Sequence, residues 1–480
     1  MKSFHKNALA VAIGVALSGL PALSSAVTDP DLKALREEIA QMKHAYQQRI
    51  DALEKRLTQA EITTNEKTAR IETKADQAQV AVQQAAAQQP APPPIQSNAF
   101  NPEISMILQG SYNNLKQDPK GFQISGFIPT LGAVGPGTRG FSLGESELTI
   151  SANVDPDWRA TAIASLAPEG GVDMENAYFE SLGLGNGFSF KAGRFFSAIG
   201  YQNEQHAHAW DFVDAPLAYK VFLGNQLADD GVQLRWLAPT DLFLEVGAEA
   251  GRGRSFPGAD NNKNGVSSGS VFAHLGGDVG PSNAWRIGLS TLASAPRDRS
   301  YKDVDSTGAA VTNNFTGKSR LWIADGIWKW APNGNANSTN FKLQGEYFQR
   351  RENGTLASNS LTANCGGACA AGYGSRQSGG YVQGVYQFMP RWRAGLRYDE
   401  LNFGSANIGL VESNTLTPGD FPLLAGHDPR RSSLMFDYSP SEFTRFRLQF
   451  ARDDSGLGRT DNQMFLQYIL SLGPHGAHSF

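Results

Sequence analysis

Alternation of apolar and polar residues over most of the chain is the feature that most limits the folds open to it. Every second residue between Leu148 and Val154 is apolar, and the same period returns at 242–248, 392–398 and 446–450. A period of two is typical of a β-strand with one polar and one apolar face. The sequence therefore predicts an all-β domain, and the connections decide between a soluble sandwich and a barrel in lipid.

Short and long connections follow one another along the chain. Tight turns lie at 155–157, 183–187, 238–241, 280–283, 331–339, 389–391 and 439–442, and mostly longer connections at 114–140, 167–171, 196–228, 252–266, 295–318, 351–377, 401–430 and 453–461. Bacterial outer-membrane barrels use short periplasmic turns, longer external loops and an even number of strands. The sequence therefore predicts a transmembrane barrel of 16 antiparallel strands over residues 101–480, with both of its ends on the short-turn side. The pattern leaves the register of Arg320–Trp330 unassigned, because both faces of that segment mix polar and apolar residues.

The amino terminus has the pattern of a secretory signal peptide. Lys2 and Lys6 precede an apolar stretch that is too short to span a bilayer as a helix, and Ala26 follows two serines. We expect residues 1–26 to be cleaved from the mature protein.

The next segment repeats its apolar residues in steps of three and four from Leu32 to Ala60. This is a heptad seam with one inserted four-residue step, which predicts a coiled coil over residues 27–88. A single amphipathic helix is the alternative. Four prolines between Pro90 and Pro94 then predict a stiff linker over residues 89–100.

Composition argues against several classes of function. The net charge of −4 excludes a nucleic-acid-binding protein that relies on bulk positive charge. No nucleophile–base pair, phosphate-binding loop or zinc-protease motif occurs in the sequence, so we expect neither an enzyme nor a cofactor. The two cysteines, Cys365 and Cys369, lie in one predicted external loop without further cysteine or histidine nearby. A small loop disulfide is the interpretation that we favour over a metal site.

Charged side chains alternate onto the strand faces that we expect to line the lumen. The cations are Arg159, Lys191, Arg235, Arg286, Lys342, Arg393, Arg397, Arg445 and Arg447, and the anions are Glu147, Glu245, Glu249, Asp278, Glu346, Asp399 and Asp437. Nine cations against seven anions predict a weak preference for anions. The alternative is that these charges pair with one another along the wall and select nothing.

The third loop, residues 196–228, is the longest connection, and its many aromatic and aliphatic residues need a surface to pack on. The open lumen or a neighbouring subunit could supply that surface, and we predict that Gly200–Leu223 folds into or over the pore and forms its constriction. The charged and imidazole side chains of that constriction are His206, His208, Asp211, Asp214 and Lys220. His206 and His208 would then lie near the narrowest point, and conductance would change as they titrate near pH ~6.5. They are also the only candidates for a metal site, since two histidines two residues apart can share one face.

The chain resembles the phosphate-selective porin (O/P type) superfamily, and more narrowly its members with a coiled coil ahead of a sixteen-stranded trimeric barrel. The resemblance is carried by Phe188–Phe195, by the strand at 147–152 and by the closing strand with its terminal Phe480. It implies a homotrimer in the Gram-negative outer membrane, in contact with lipid and lipopolysaccharide, with the coiled coil in the periplasm near peptidoglycan. Relatives of this kind are often labelled TonB-dependent receptors, but about 380 residues cannot form 22 strands and a plug. The third loop offers only Lys220 as a basic group besides its histidines, so phosphate selectivity does not carry over.

Three functions follow from these features. The first is a porin for passive uptake of small hydrophilic, preferentially anionic solutes. The second is a substrate-specific uptake channel, for a divalent metal such as zinc, that uses the histidines of the third loop. The third is a structural protein that tethers the cell envelope through its coiled coil.

Overall fold

The computed structural model describes residues 102–130, 134–166, 170–259 and 264–473, together with scattered residues between 37 and 58. The chain divides into two compact units, Met1–Ala99 and Phe100–Phe480. The described residues of the first unit are helical with exposed side chains; they are Glu37, Gln41, Lys43, His44, Gln47, Gln48, Asp51, Lys55 and Thr58. The signal peptide, the seam of the coiled coil, the linker and Phe480 lie outside the described residues and stay predictions. Among the described helices, none has the length and apolar character needed to cross a membrane.

The second unit is a sheet of strand segments that follow one another in chain order. They are β1 (Glu103–Leu115), β2 (Gly140–Leu143), β3 (Ser146–Asn153), β4 (Trp158–Leu166), β5 (Val172–Ser181), β6 (Phe188–Phe196), β7 (Ala228–Leu237), β8 (Phe243–Gly251), β9 (Ser268–Val279), β10 (Asn283–Ser294), β11 (Arg299–Val304), β12 (Ala310–Trp330), β13 (Asn340–Ser358), β14 (Cys369–Met389), β15 (Trp392–Ile408), β16 (Arg430–Ser441), β17 (Thr444–Gly456) and β18 (Arg459–Leu472).

Short helices lie in the connections. The α-helices are α1 (Leu217–Leu223) and α2 (Gly409–Glu412), and the 3-10 helices are Pro119–Gly121, Ala207–Ala209, Gly280–Ser282, Pro332–Gly334, Pro418–Asp420 and Pro422–Leu424.

The segments form 16 strands that close on themselves. β2 and β3 pair with successive parts of β1, so they are two halves of one interrupted strand. β10 and β11 pair with successive parts of β12 in the same way. β1 pairs antiparallel with β18, and the closed ring has no free edge. The predicted 16-stranded antiparallel barrel is confirmed, and both of its ends lie beside the short turns.

Several connections are shorter than the sequence predicts. The predicted loop at 295–318 is a strand pair whose turn is only 305–309, because β11 and the start of β12 continue the wall. The predicted loops at 351–377 and 453–461 shrink to 359–368 and 457–458 in the same way. The loop predicted at 401–430 begins only after Ile408. These strand ends carry polar residues on both faces, so the period of two that marks a lipid-facing strand is absent from them.

The outer and inner faces of the barrel have opposite character. Leu396, Leu434 and Phe450 project outward and are exposed, whereas Arg397, Ser433 and Gln449 of the same strands project inward. An apolar exterior over a polar interior is the arrangement that a membrane barrel needs. Aromatic side chains lie next to the short turns, as in the aromatic girdles of membrane barrels; they are Trp158, Trp236, Trp285, Trp392 and Tyr438.

The strand that the pattern left unassigned is β12, and its register is now clear. Trp322 pairs with Thr291 of β10 and Gln349 of β13, and it points to the outside. Leu321 and Ile323 point inward and are buried against residues of the third loop. Both faces of β12 are apolar at this point, because its outer face lies on the membrane side of the wall and its inner face contacts protein inside the barrel.

Candidate functional site in the barrel lumen

Loop 3 (residues 197–227) runs from β6 to β7 and folds into the barrel. Its buried apolar side chains pack against inward side chains of β10 and of β12 to β15; the loop contributes Ile199, Trp210, Leu217, Tyr219 and Phe222, and the wall contributes Leu292, Leu321, Ile323, Phe348, Tyr381 and Leu401. Full burial of a large apolar side chain contributes about 1.5–3 kcal/mol. The apolar residues that predicted an inward fold thus have their packing surface inside the barrel.

The two ends of loop 3 are tied together at its root. The Asn203 amide donates to the carbonyl oxygens of Ser197 and Leu227, and its oxygen accepts from the Leu227 amide at 2.8 Å. Gly200 has a φ of 70°, and a Cβ there would collide with the Glu346 carboxylate and the Tyr219 hydroxyl. Only glycine allows the chain to turn this close to the wall.

The carboxylate of Glu346 on β13 binds the first part of loop 3 through hydrogen bonds. It accepts the backbone amides of Tyr201 and Gln202 at 3.0 and 3.1 Å, the Tyr219 hydroxyl at 2.8 Å and the Tyr381 hydroxyl at 2.6 Å. Four donors on one buried acceptor fix the loop to β13, well away from its root between β6 and β7.

Two aspartates anchor the middle of loop 3. Asp211 pairs with Lys342 on β13 and lies 3.1 Å from Arg393 on β15. Burial raises the pKa of Asp211, but the charges of these two cations outweigh burial and lower its pKa to about 2. The carboxylate is therefore ionised at neutral pH and holds the loop to the wall.

Asp214 lies in a second cluster, in which most of its partners are cationic side chains. It pairs with Arg431, lies 3.1 Å from both Arg397 and Lys220, and accepts from the Gln449 amide at 3.2 Å. Burial raises the pKa of Asp214, whereas its three cationic partners hold that pKa well below the usual range. Removing this single carboxylate would leave several buried cations short of a counter-charge.

The two histidines of loop 3 contact carboxylates on the near wall. His206 Nδ1 lies 3.0 Å from Glu175 of β5 and 3.2 Å from Glu147 of β3, and His208 Nδ1 lies 2.9 Å from the other oxygen of Glu147. Burial lowers the pKa of His206, but hydrogen bonds and charges from Glu147 and Glu175 outweigh it and raise the pKa to about 10. His206 is thus charged at neutral pH, so the predicted change near pH 6.5 is not expected from it.

The nine predicted pore-lining cations all point inward, but they do not all line open space. Arg397 is buried against Asp399 and Asp214, and Arg447 donates to both oxygens of Asp437. Both side chains are almost completely buried by these contacts, so the structure does not place them at the open surface of the lumen. The predicted constriction side chains Asp211, His208 and Lys220 are likewise buried.

Cations predominate among the accessible charges on one side of the short-turn end. Arg286, Lys342 and Arg393 have side-chain exposures of 23%, 18% and 24%, while the carboxylates that they contact on Asp325, Asp211 and Asp437 are 0–4% exposed. The half-buried Lys329 and Arg445 belong to the same group. We call these five residues the cationic arc. On the opposite side, Arg159, Lys191 and Arg235 pair with accessible glutamates.

Sequence reasoning missed several residues that make up this site. Lys329 and Asp325 lie on β12, whose register was not assigned, and Lys329 sits directly opposite Lys342. Glu175 is the extra, unpaired residue of a bulge in β5 that breaks the alternation. Arg431 follows Arg430 at the start of β16, and only the alternation of that strand could have shown which of the two points inward.

The two cysteines are joined in the loop between β13 and β14. The Sγ atoms of Cys365 and Cys369 are 2.14 Å apart. Cys365 is buried in an apolar cluster beneath the external loops, together with Tyr301, Phe315 and Leu410.

A protein of known sequence resembles this chain over most of its length. An uncharacterized protein of Aquifex aeolicus (strain VF5) is 30% identical over 414 residues, which cover 81% of each chain. The chain belongs to the family of that protein. No protein-family model matches the chain, and the resemblance to the O/P type stays a prediction.

This chain is also similar to several solved structures. It is similar to outer-membrane-expressed OmpT of Vibrio cholerae, with 12% identity, a TM-score of 0.46 and coverage of 79% of this chain and 99% of that one. The outer membrane channel DcaP of Acinetobacter baumannii has 14% identity, a TM-score of 0.45 and coverage of 78% and 97%. An anion-selective porin from Comamonas acidovorans has 10% identity, a TM-score of 0.45 and coverage of 78% and 100%. At these scores the likeness carries no argument, and the fold rests on the strand pairings.

Proposed function

We propose that the protein is an outer-membrane porin for passive uptake of small hydrophilic solutes, with a preference for anions, and that it catalyses no reaction. The closed barrel of 16 strands supports the first part, since barrels of this size enclose a lumen wider than wall side chains can fill. The apolar exterior supports a place in lipid.

The cationic arc is the observation that carries the anion preference. In each of its three measured pairs the cation is partly exposed and the carboxylate is almost completely buried, at Arg286–Asp325, Lys342–Asp211 and Arg393–Asp437. An ion in the lumen therefore meets the positive partner first, and the field of the nearer charge dominates.

The experiment is a reversal-potential measurement in a planar bilayer with asymmetric KCl near 0.1 M, where the Debye length is about 10 Å. We expect a sign that corresponds to chloride being more permeant than potassium. The double variant Lys329→Gln, Arg445→Gln should shift the potential toward cations, because it removes two charges of the arc. Arg445 also donates to the carbonyl oxygen of His208 in loop 3 at 3.3 Å, so the single variant Lys329→Gln, which should shift the potential in the same direction, separates the loss of charge from the loss of this contact.

The matched control removes two arginines from the outer face. Arg320 and Arg452 are exposed on the outside of β12 and β17, so Arg320→Gln with Arg452→Gln should leave the reversal potential unchanged. A cation-selective unaltered channel, or equal shifts in both double variants, would contradict an anion preference set by the arc.

We further propose a homotrimer with its coiled coil in the periplasm, embedded in lipid and lipopolysaccharide. The heptad seam from Leu32 to Ala60 supports self-association, because a narrow apolar seam needs partner helices to bury it. Native mass spectrometry of the detergent-extracted protein would test this: a trimer is expected, and a monomer would contradict it.

A further inference from the structure

Two strands and loop 3 bring three potential metal ligands to one point on the lumen wall. Glu147 of β3, Glu175 of β5 and His206 of loop 3 each offer one donor atom, and these atoms all lie within 4.8 Å of one another. His206 Nδ1 is 3.0 Å from the Glu175 carboxylate and 3.2 Å from that of Glu147. Zinc ligands at about 2.0–2.2 Å lie about 3.0–3.5 Å apart around the ion. The separations to His206 are thus those of neighbouring ligands.

The side chains around the three ligands are also suited to a bound metal ion. Asn176 is buried, its side chain contacts His206 Nε2 at 3.2 Å, and its Oδ1 has no hydrogen-bond partner. Rotation of the amide group turns that oxygen toward Nε2. It would then accept the proton that a histidine bound through Nδ1 must carry on Nε2, as partners of metal-bound histidines commonly do.

His208 supports the same arrangement from the other side. Its Nδ1 lies 2.9 Å from the second oxygen of Glu147, and its ring stacks on that of His206 with centroids 5.7 Å apart. This contact orients the Glu147 carboxylate, so we regard His208 as a positioning residue. Glu147 is buried whereas His206 is 20% exposed, which leaves one side of the cluster open to ions and water from the lumen.

We propose that Glu147, Glu175 and His206 bind a divalent transition metal of the zinc type, which joins loop 3 to β3 and β5. Carboxylate and imidazole ligands with open positions suit such ions. The ion would replace the direct contacts between His206 Nδ1 and the two carboxylates. None of the three ligands belongs to the cationic arc, and occupancy of the site can be measured without any transport assay.

The test is isothermal titration of ZnCl2 into the untagged, EDTA-treated full chain in detergent at pH 8, since metal binding needs deprotonated ligands. We expect one Zn²⁺ per chain, with the affinity reduced at least tenfold in Glu175→Gln and in His206→Gln. Titration with CoCl2 adds a spectroscopic readout: visible absorption bands of bound cobalt that His206→Gln removes.

The matched control is His274→Gln. His274 Nδ1 also lies 3.0 Å from a carboxylate, that of Glu245 on β8, but Arg235 is the neighbour there instead of a second carboxylate. This variant should bind zinc as the unaltered chain does. Heat-modifiable migration on gels verifies that each variant is folded. No stoichiometric binding in the unaltered chain, or equal affinity in Glu175→Gln and His274→Gln, would overturn the proposal.

Discussion

Replacing Asp214 with asparagine removes the charge on which the middle of loop 3 depends. The substitution keeps the shape of the side chain but leaves Arg431, Arg397 and Lys220 buried with less counter-charge. Breaking a buried ion pair from one side costs about 3–5 kcal/mol. Arg397 keeps Asp399 at 2.9 Å, so we expect a value near the lower end, about 3 kcal/mol.

A loss of that size changes the docking equilibrium of loop 3 strongly. Because 1.4 kcal/mol corresponds to a factor of ten, the ratio of docked to undocked loop should fall by about a hundredfold. Single-channel recordings should then show frequent transitions to a larger conductance. Asp454→Asn is the control, since its partner Arg452 is exposed and a surface pair contributes about 0–1 kcal/mol. Identical, quiet recordings from both variants would refute the reasoning.

Three further predictions concern pH, the disulfide and the coiled coil. The pKa of Asp211 is about 2 against an ordinary 3.8, so its contribution to docking is complete above pH 3.8 and is lost as the pH falls through 2. The difference in conductance between the unaltered channel and Asp211→Asn should therefore stay constant between pH 7 and pH 4, and a change in that difference within this range would contradict the anchoring role of Asp211. Replacing Cys365 and Cys369 by serine should scarcely change the melting temperature of the barrel, because the closed ring is small; mass spectrometry of non-reduced protein checks that the bond is present in the parent. Removing residues 27–88 should leave conductance unchanged, and a loss of conductance would favour the envelope-tethering function.

The number of strands could be predicted because turn chemistry and alternation are local. Asp155-Pro156-Asp157 is a turn wherever it occurs, and the alternation from Trp392 to Tyr398 determines which side chains face out. The same rule placed Arg393, Arg397, Arg445 and Arg447 on the inner face, where they lie.

The exposure and pairing of those charges could not be predicted in the same way. Whether Arg397 lines the pore depends on Asp214, which is 183 residues earlier in the chain and reaches it only because loop 3 crosses the barrel. Alternation also fails to identify the inner face where loop 3 fills the lumen. Leu321 and Ile323 face inward although they are apolar, because loop 3 gives them an apolar surface to pack on. Long-range contacts of this kind leave no periodic signal in the sequence.

Single-channel conductance after deletion of loop 3 tests whether ions pass through the part of the lumen that this loop occupies. Phe196 and Ala228 pair with each other at the ends of β6 and β7, so removing Gly200–Leu223 leaves a turn that can close without disturbing the wall. If loop 3 occupies the lumen of a conducting barrel, the deletion should raise the conductance severalfold over that of the full chain in the same salt. An unchanged conductance in a folded deletion variant would mean that ions do not pass where loop 3 lies, and would contradict the account.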